Sequence, residues 1–266
     1  MKYAFMTFST PDLELPDVLG LAQRFGYEGV EIRIDARQRH GLERDTAAPE
    51  RAAAKKAAAE AGVALCCVAT SCRFADPASA GEAVSQAREA IDLAADIGAN
   101  RIRVFGGQIP EGVEREAAIA GVASALSSLA EQAGERGVVV CLETHDDWCE
   151  PRHVAEVVKR ADSPAVAVNW DIMHPVRTGK ATIDESFAVL GSSVCHVHFH
   201  DGVQEDGLQM VPIGEGQIDH RRAVELLVAA GYDGFLSGEW INWQPAEEHL
   251  PRELATMRRY ESEAAG

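Results

Sequence analysis

The sequence predicts an α/β chain folded as one single-domain (β/α)8 barrel, the TIM-barrel class, over residues 1–266. Three observations carry this. Several segments close an amphipathic helical pattern on a glycine and open at once into a short apolar run, as in AQRFGYEGVEIRI, AAEAGVALCCVAT, AADIGANRIRVFGG and AGERGVVVCLETH. A glycine just past a helix takes the left-handed conformation that ends it, and a short β-branched run after it reads as a buried strand. The first three such glycines, Gly26, Gly62 and Gly98, fall 36 residues apart, about the size of one βα unit. Finally, the chain holds eight strand candidates, and no GxGxxG follows the first, which favours a closed barrel over an open dinucleotide-binding sheet.

In order, the strands are expected near 2–8, 29–35, 63–70, 101–106, 138–144, 166–172, 194–200 and 234–240. Ala-rich amphipathic patterns place helices between them, near 16–25, 48–61, 80–97, 114–136, 152–161, 183–190, 219–230 and 246–262. Neither a linker nor a low-complexity tract interrupts the series. The final ESEAAG reads as a frayed end.

Composition narrows the partners. Asp plus Glu outnumber Lys plus Arg by 42 to 25, a formal charge of −17, so the average surface repels nucleic acid and anionic membranes. The opening MKYAFMTFSTPD is too short for a signal sequence or a spanning helix. The six cysteines include no CxxC pair and sit mostly in apolar runs, so they read as reduced thiols of a cytoplasmic protein, with Cys141 and Cys195 as small core residues. A small-molecule substrate is the expected partner, and assembly as a homo-oligomer stays open.

Residues two apart on a strand share a face. In the last four strands the polar residues fall on one parity: Glu143 and His145, Asn169 and Asp171, His196, His198 and His200, Ser237 and Glu239. The other parity is mostly apolar, so the ionisable groups point into the barrel. Buried carboxylates and imidazoles repel one another and lose hydration unless a cation neutralises them. Glu143, Asp171, His198 and Glu239 lie at the C-terminal strand ends, where sites of this fold sit. Three carboxylates and one imidazole suit one divalent cation, Mn2+ first, with Mg2+, Co2+ or Zn2+ as alternatives. His200 is assigned to the rim where substrate enters, and His196 to a deeper hydrogen-bonded layer; an HxH chelate remains an alternative.

These residues resemble the sugar isomerase/epimerase superfamily with xylose-isomerase-like barrels, which contains ketose 3-epimerases, inosose dehydratases and hydroxypyruvate isomerases. The matching pieces are LETH with Glu143, WDIMH with Asp171 and His174, HVHFHD with His198, VPIGEGQIDH, and GYDGFLSGEW with Glu239. The resemblance implies that the four ligands hold the metal, that His174 touches a substrate oxygen, and that Glu143 and Glu239 are the catalytic pair. One removes a proton next to a carbonyl and the other returns it. His145, His200 and Trp148 join His174 as candidate substrate contacts. Two departures separate this chain from ketose 3-epimerases: Gln204 stands where they carry an arginine, and THDDW follows Glu143. A keto-sugar isomerase or epimerase is therefore expected, with a dehydratase of an inosose or keto-sugar as the alternative.

Other features have simpler readings. Glu31 and Arg33 share a parity, as do Arg101 and Arg103, and buried Glu–Arg pairing accounts for them. FGGQIPEG lacks a nearby Lys or Arg and reads as a turn rather than a phosphate cradle. Trp148 and Trp240 either wall the pocket or cover the barrel end. An endonuclease on this barrel needs a basic surface, and an amidohydrolase needs its HxH on the first strand, which holds no histidine. A sugar-binding subunit without turnover is the third rival.

Overall fold

Each apolar run predicted as a barrel strand pairs in parallel with its neighbours in the computed structural model, which describes residues 1–205 and 207–266 and, of Glu205, the backbone. The barrel strands are β1 (Lys2–Met6), β2 (Gly29–Arg33), β3 (Ala64–Arg73), β4 (Arg101–Phe105), β5 (Val139–Glu143), β6 (Val166–Asp171), β7 (Val194–Phe199) and β10 (Phe235–Gly238). They close in the order β1-β10-β7-β6-β5-β4-β3-β2. Helices α1 (Leu15–Phe25), α2 (Ala48–Ala61), α3 (Ala80–Ile97), α4 (Arg115–Arg136), α5 (Pro151–Ala161), α7 (Ile183–Leu190), α8 (His220–Ala229) and α9 (Ala246–Ala264) run between or after the strands.

The glycines act as the sequence suggests. Gly98 follows α3 at φ +85°, and its N–H returns to Ala94 and Ala95, closing the helix one residue before the turn into β4. Outward-facing Val30, Ile32, Ile102, Val104, Val140, Leu142, Val168, Val197, Phe199 and Leu236 are all buried under the helices. That apolar ring fixes the strand parity, since a slip by one residue would send it into the polar interior. Ala4, Cys66, Cys67 and Phe235 form a separate small apolar cluster. The six cysteines are free. No helix among the described residues is long and apolar enough to cross a membrane.

Two elements go beyond the eight-unit expectation. A short helix α6 (Met173–Arg177) follows β6 directly, and an antiparallel hairpin, β8 (Asp201–Glu205) with β9 (Gly207–Val211), is inserted between β7 and α8. Both adjoin the C-terminal ends of the strands that carry the polar columns. The eighth barrel strand also ends earlier than predicted, at Gly238, although the Glu239 N–H still reaches Phe199 O at 3.2 Å.

Candidate metal centre

Register brings the polar columns together. His198 on β7 is level with Asp171 on β6 and with Ser237 on β10, while Glu143 on β5 is level with Asn169 on β6. Glu143, Asp171, His198 and Glu239 each offer a ligand atom, and those atoms all lie within 4.8 Å of one another. His198 Nδ1 is 3.0 Å from Glu143 Oε1 and 3.2 Å from Glu239 Oε2. All four predicted ligands are thus gathered by one end of the barrel, and all are buried.

Neighbouring groups hold these ligands in place. Asp171 Oδ1 accepts the backbone N–H groups of Met173 and His174, so the start of α6 fixes that carboxylate. Asp171 Oδ2 faces His200 Nε2 at 2.9 Å and His174 Nε2 at 3.6 Å. Arg177 Nε donates to His174 Nδ1 at 2.9 Å, which leaves the His174 proton on Nε2. His145 packs edge-on to His174 with ring centroids 4.3 Å apart, and its Nδ1 lies 3.0 Å from Asp146 Oδ1. Trp148 is wholly buried and donates from Nε1 to Gly107 O, so it is fixed against the loop after β4.

Two readings are refined, and the buried Glu–Arg pairing expected of Arg103 is found. His200, assigned to the rim where substrate enters, is only 5% exposed, because its imidazole is taken by Asp171 and its carbonyl by His220 Nε2. Glu31 does not pair with Arg33: its Oε2 meets His196 Nε2 at 2.9 Å and its carboxylate meets His198 Nε2 at 3.1 Å. Arg33 turns instead to Ser71 Oγ and Ala69 O. The arginine that does pair with site acids is Arg103 on β4, at 3.1 Å from Glu143 Oε2 and 4.0 Å from Glu239 Oε1. Inward parity identified Glu31 and Arg103; it carried no information about their partners across the barrel. His196 occupies the deeper hydrogen-bonded layer expected of it. The amide of Ile109 in FGGQIPEG is taken by Asp147 Oδ2 at 2.7 Å, which suits a turn and not a phosphate cradle.

Electrostatics follow from this packing. Burial pushes the Asp171 and Glu31 carboxyls up, yet the imidazoles beside them hold both below the usual carboxylate range. Burial opposes ionisation of Glu239 too, but His198 and Arg103 bring it down to about 2. Burial alone would lower His198, and the surrounding Glu31, Glu143 and Glu239 carboxylates raise it well above normal. His145 is raised against burial by Asp146 and the two site glutamates. His174 goes the other way: burial outweighs Asp171 and lowers it to about 4.

A divalent cation fits this donor set. Four buried carboxylates, Glu31, Glu143, Asp171 and Glu239, face Arg103 and the imidazoles of His196, His198 and His200, and among the described residues the buried Glu143 Oε2 accepts no hydrogen bond, its nearest cation being Arg103 Nε at 3.1 Å. Oxygen-rich ligation with one imidazole suits Mn2+, Mg2+ or Co2+.

Comparison with known proteins agrees with the fold. Residues 19–260 match the sequence profile of the family described as xylose isomerase-like TIM barrel. An uncharacterised protein of Methanocaldococcus jannaschii is 30% identical over 184 residues, a match covering 64% of this chain and 62% of that protein. Among solved structures, the probable 3-DHS dehydratase of Bacillus anthracis superposes with a TM-score of 0.81 at 20% identity, covering 97% of this chain and 99% of the other. An L-ribulose 3-epimerase gives 0.82 at 17% identity, covering 99% and 95%. The 3-keto-D-glucoside 4-epimerase of E. coli gives 0.79 at 17%, covering 97% and 99%. At these identities the structures share the fold.

Proposed function

This chain belongs to the xylose isomerase-like TIM-barrel family, and on that premise we propose that it is a divalent-metal-dependent isomerase or epimerase of keto-sugars or cyclitols. The observation that carries the reading is the convergence of Glu143 and Glu239, from strands separated by β6 and β7, on the cluster they share with Asp171 and His198. When bound there, the cation, Mn2+ in this reading, makes the carbon-bound proton next to a carbonyl more acidic and offsets the negative charge that develops on the substrate oxygens.

The chain's residues supply the proton traffic. Glu143 and Glu239 serve as the base and acid, one taking the proton from the substrate carbon and the other returning it to the opposite face. Arg103, wholly buried, neutralises part of the charge that two close carboxylates bring to the barrel interior. The His174 Nε2–H, fixed by Arg177, is an oriented donor for a substrate oxygen, and its low basicity keeps it a neutral donor near pH 7. In this reading the protein works in the cytoplasm, a compartment that keeps cysteines such as its six reduced.

A second reading has its own support. His145, paired with Asp146, retains its proton more strongly than a free imidazole, as a donor to a departing hydroxyl must. The same proton abstraction followed by loss of that hydroxyl is a dehydration. Mass spectrometry of ketoses, ketoacids and inososes incubated in heavy water with manganese-loaded protein separates the two. Deuterium gain without dehydration identifies an isomerase or epimerase, and loss of water a lyase; a panel left unchanged by well-loaded protein removes both.

A further inference from the structure

Each imidazole in the cluster has two nitrogens, and a nitrogen that binds a cation must be unprotonated, which leaves the proton on the other. In His198 the two nitrogens face different neighbours. Nδ1 is the one beside Glu143 and Glu239, and Nε2 points away from them to Glu31, at 3.2 Å from Oε1 and 3.1 Å from Oε2. Glu31 comes from β2, across the barrel from β7, and is wholly buried. Its described hydrogen bonds are to the two imidazoles of His196 and His198. A carboxylate with no solvent contact, placed on the far nitrogen of a ligand histidine, fixes the ring's tautomer and tilt and strengthens its donor nitrogen.

We propose that Glu31 is a positioning residue for the metal centre: by accepting the His198 Nε2–H it reserves Nδ1 for the cation and sets how tightly the cation is held. The inference rests on the metal-dependent reading of the site. His196 has a lesser part in it. It shares the Glu31 carboxylate, while its own Nδ1 is buried without a partner, so it steadies Glu31 without reaching the ligand cluster. Glu31, His196 and His198 also lie within ligand distance of one another. A cation held by that trio through His198 Nε2 would break the hydrogen bond on which the proposal depends, so the two arrangements exclude each other.

The test compares Mn2+ binding, by titration calorimetry, in the wild-type protein, Glu31→Gln and His196→Asn, with circular dichroism to confirm folding. Glu31→Gln should bind Mn2+ about 10–100-fold more weakly, the usual effect of losing such a partner. His196→Asn should stay within about threefold of wild type, because the His198–Glu31 pair survives; general loosening of the interior would weaken both variants alike. A second measurement needs no variant: long-range 1H–15N spectra of zinc-loaded wild-type protein should show His198 protonated at Nε2 and ligated through Nδ1. Tight binding to wild type together with equal affinity in Glu31→Gln, or ligation through Nε2, overturns the role of Glu31 and leaves the metal centre standing. Failure of the wild-type protein to bind Mn2+ overturns the metal-dependent reading itself.

Discussion

At the scale of single residues, the two glutamates carry the sharpest prediction. Glu143 is wholly buried and Glu239 is 7% exposed, so an amide of the same shape keeps the packing while removing the charge and the proton-accepting oxygen. Glu143→Gln and Glu239→Gln should each lower turnover by about two orders of magnitude or more, with secondary structure unchanged by circular dichroism. Near-normal turnover in either would remove that residue from the proton path. Glu143, Asp171, His198 and Glu239 were legible because strand alternation shows which side chains face inward. Glu31 and Arg103 were legible only in part. Alternation says that a side chain enters the barrel but not at which level, and strand tilt decides which residues from opposite walls meet. Shared parity suggested Glu31 with Arg33; the tilted barrel gives Glu31 to histidines on β7 and Arg103 to Glu143 and Glu239.

At the scale of elements, the segment from β8 to α8 depends on one carboxylate. Asp201, the first residue of the hairpin, is wholly buried, and accepts the N–H groups of Gly202, Gly214, Gly216 and Ile218 at 2.9–3.2 Å. A Cβ on Gly216 would stand 2.1 Å from Asp201 Oδ1, so glycine is required for the backbone to come this close. Asp201→Ala leaves those donors unpaired and should cost about 3 kcal/mol, measurable as a lower urea midpoint. A loss below about 0.5 kcal/mol would mean that water replaces the carboxylate readily. The hairpin escaped the sequence reading even though the sequence carries a signal for it: the dipeptide Asp-Gly at 206–207, a pair that favours hairpin turns, separates VQE from LQMV. Its strands, DGVQE and GLQMV, lack the continuous apolar run that marked the barrel strands, several of which are just as short, and the histidines of β7 drew the pattern towards the barrel. Helix α6 was missed because its five residues are too few for helical periodicity to register.

At the scale of the whole molecule, the order of the βα units was readable because helices α1 to α4 each stop on a left-handed glycine, Gly26, Gly62, Gly98 and Gly137, and every barrel strand after them is a short apolar run, whereas the closing of the barrel depends on a pairing between its first and last strands that no local pattern records. Beside that closure, Tyr3 on β1 donates to Met257 O on α9, and Trp240, just past β10, packs against Phe199 and His249, which makes this corner a pH-sensitive joint. His249 on α9 is 1% exposed, lies 4.8 Å from the Trp240 ring and 5.4 Å from the Trp243 ring by centroid, and its Nδ1 has no hydrogen-bond partner among the described residues. Burial first, and then Arg252, lowers its pKa to about 4. In the unfolded chain the same imidazole titrates near the ordinary histidine value of about 6.5. Between those values the unfolded state binds a proton that the folded state refuses, so stability falls as pH drops from about 6.5 towards 4 and is fully present above that window. Thermal melts across this range should show the midpoint falling with acidity in the wild-type protein. His249→Phe keeps a flat ring against the two tryptophans and removes the titrating group. It should reduce that dependence while leaving the midpoint near pH 8 almost unchanged; an equally steep acid loss in the variant would assign the effect to other groups.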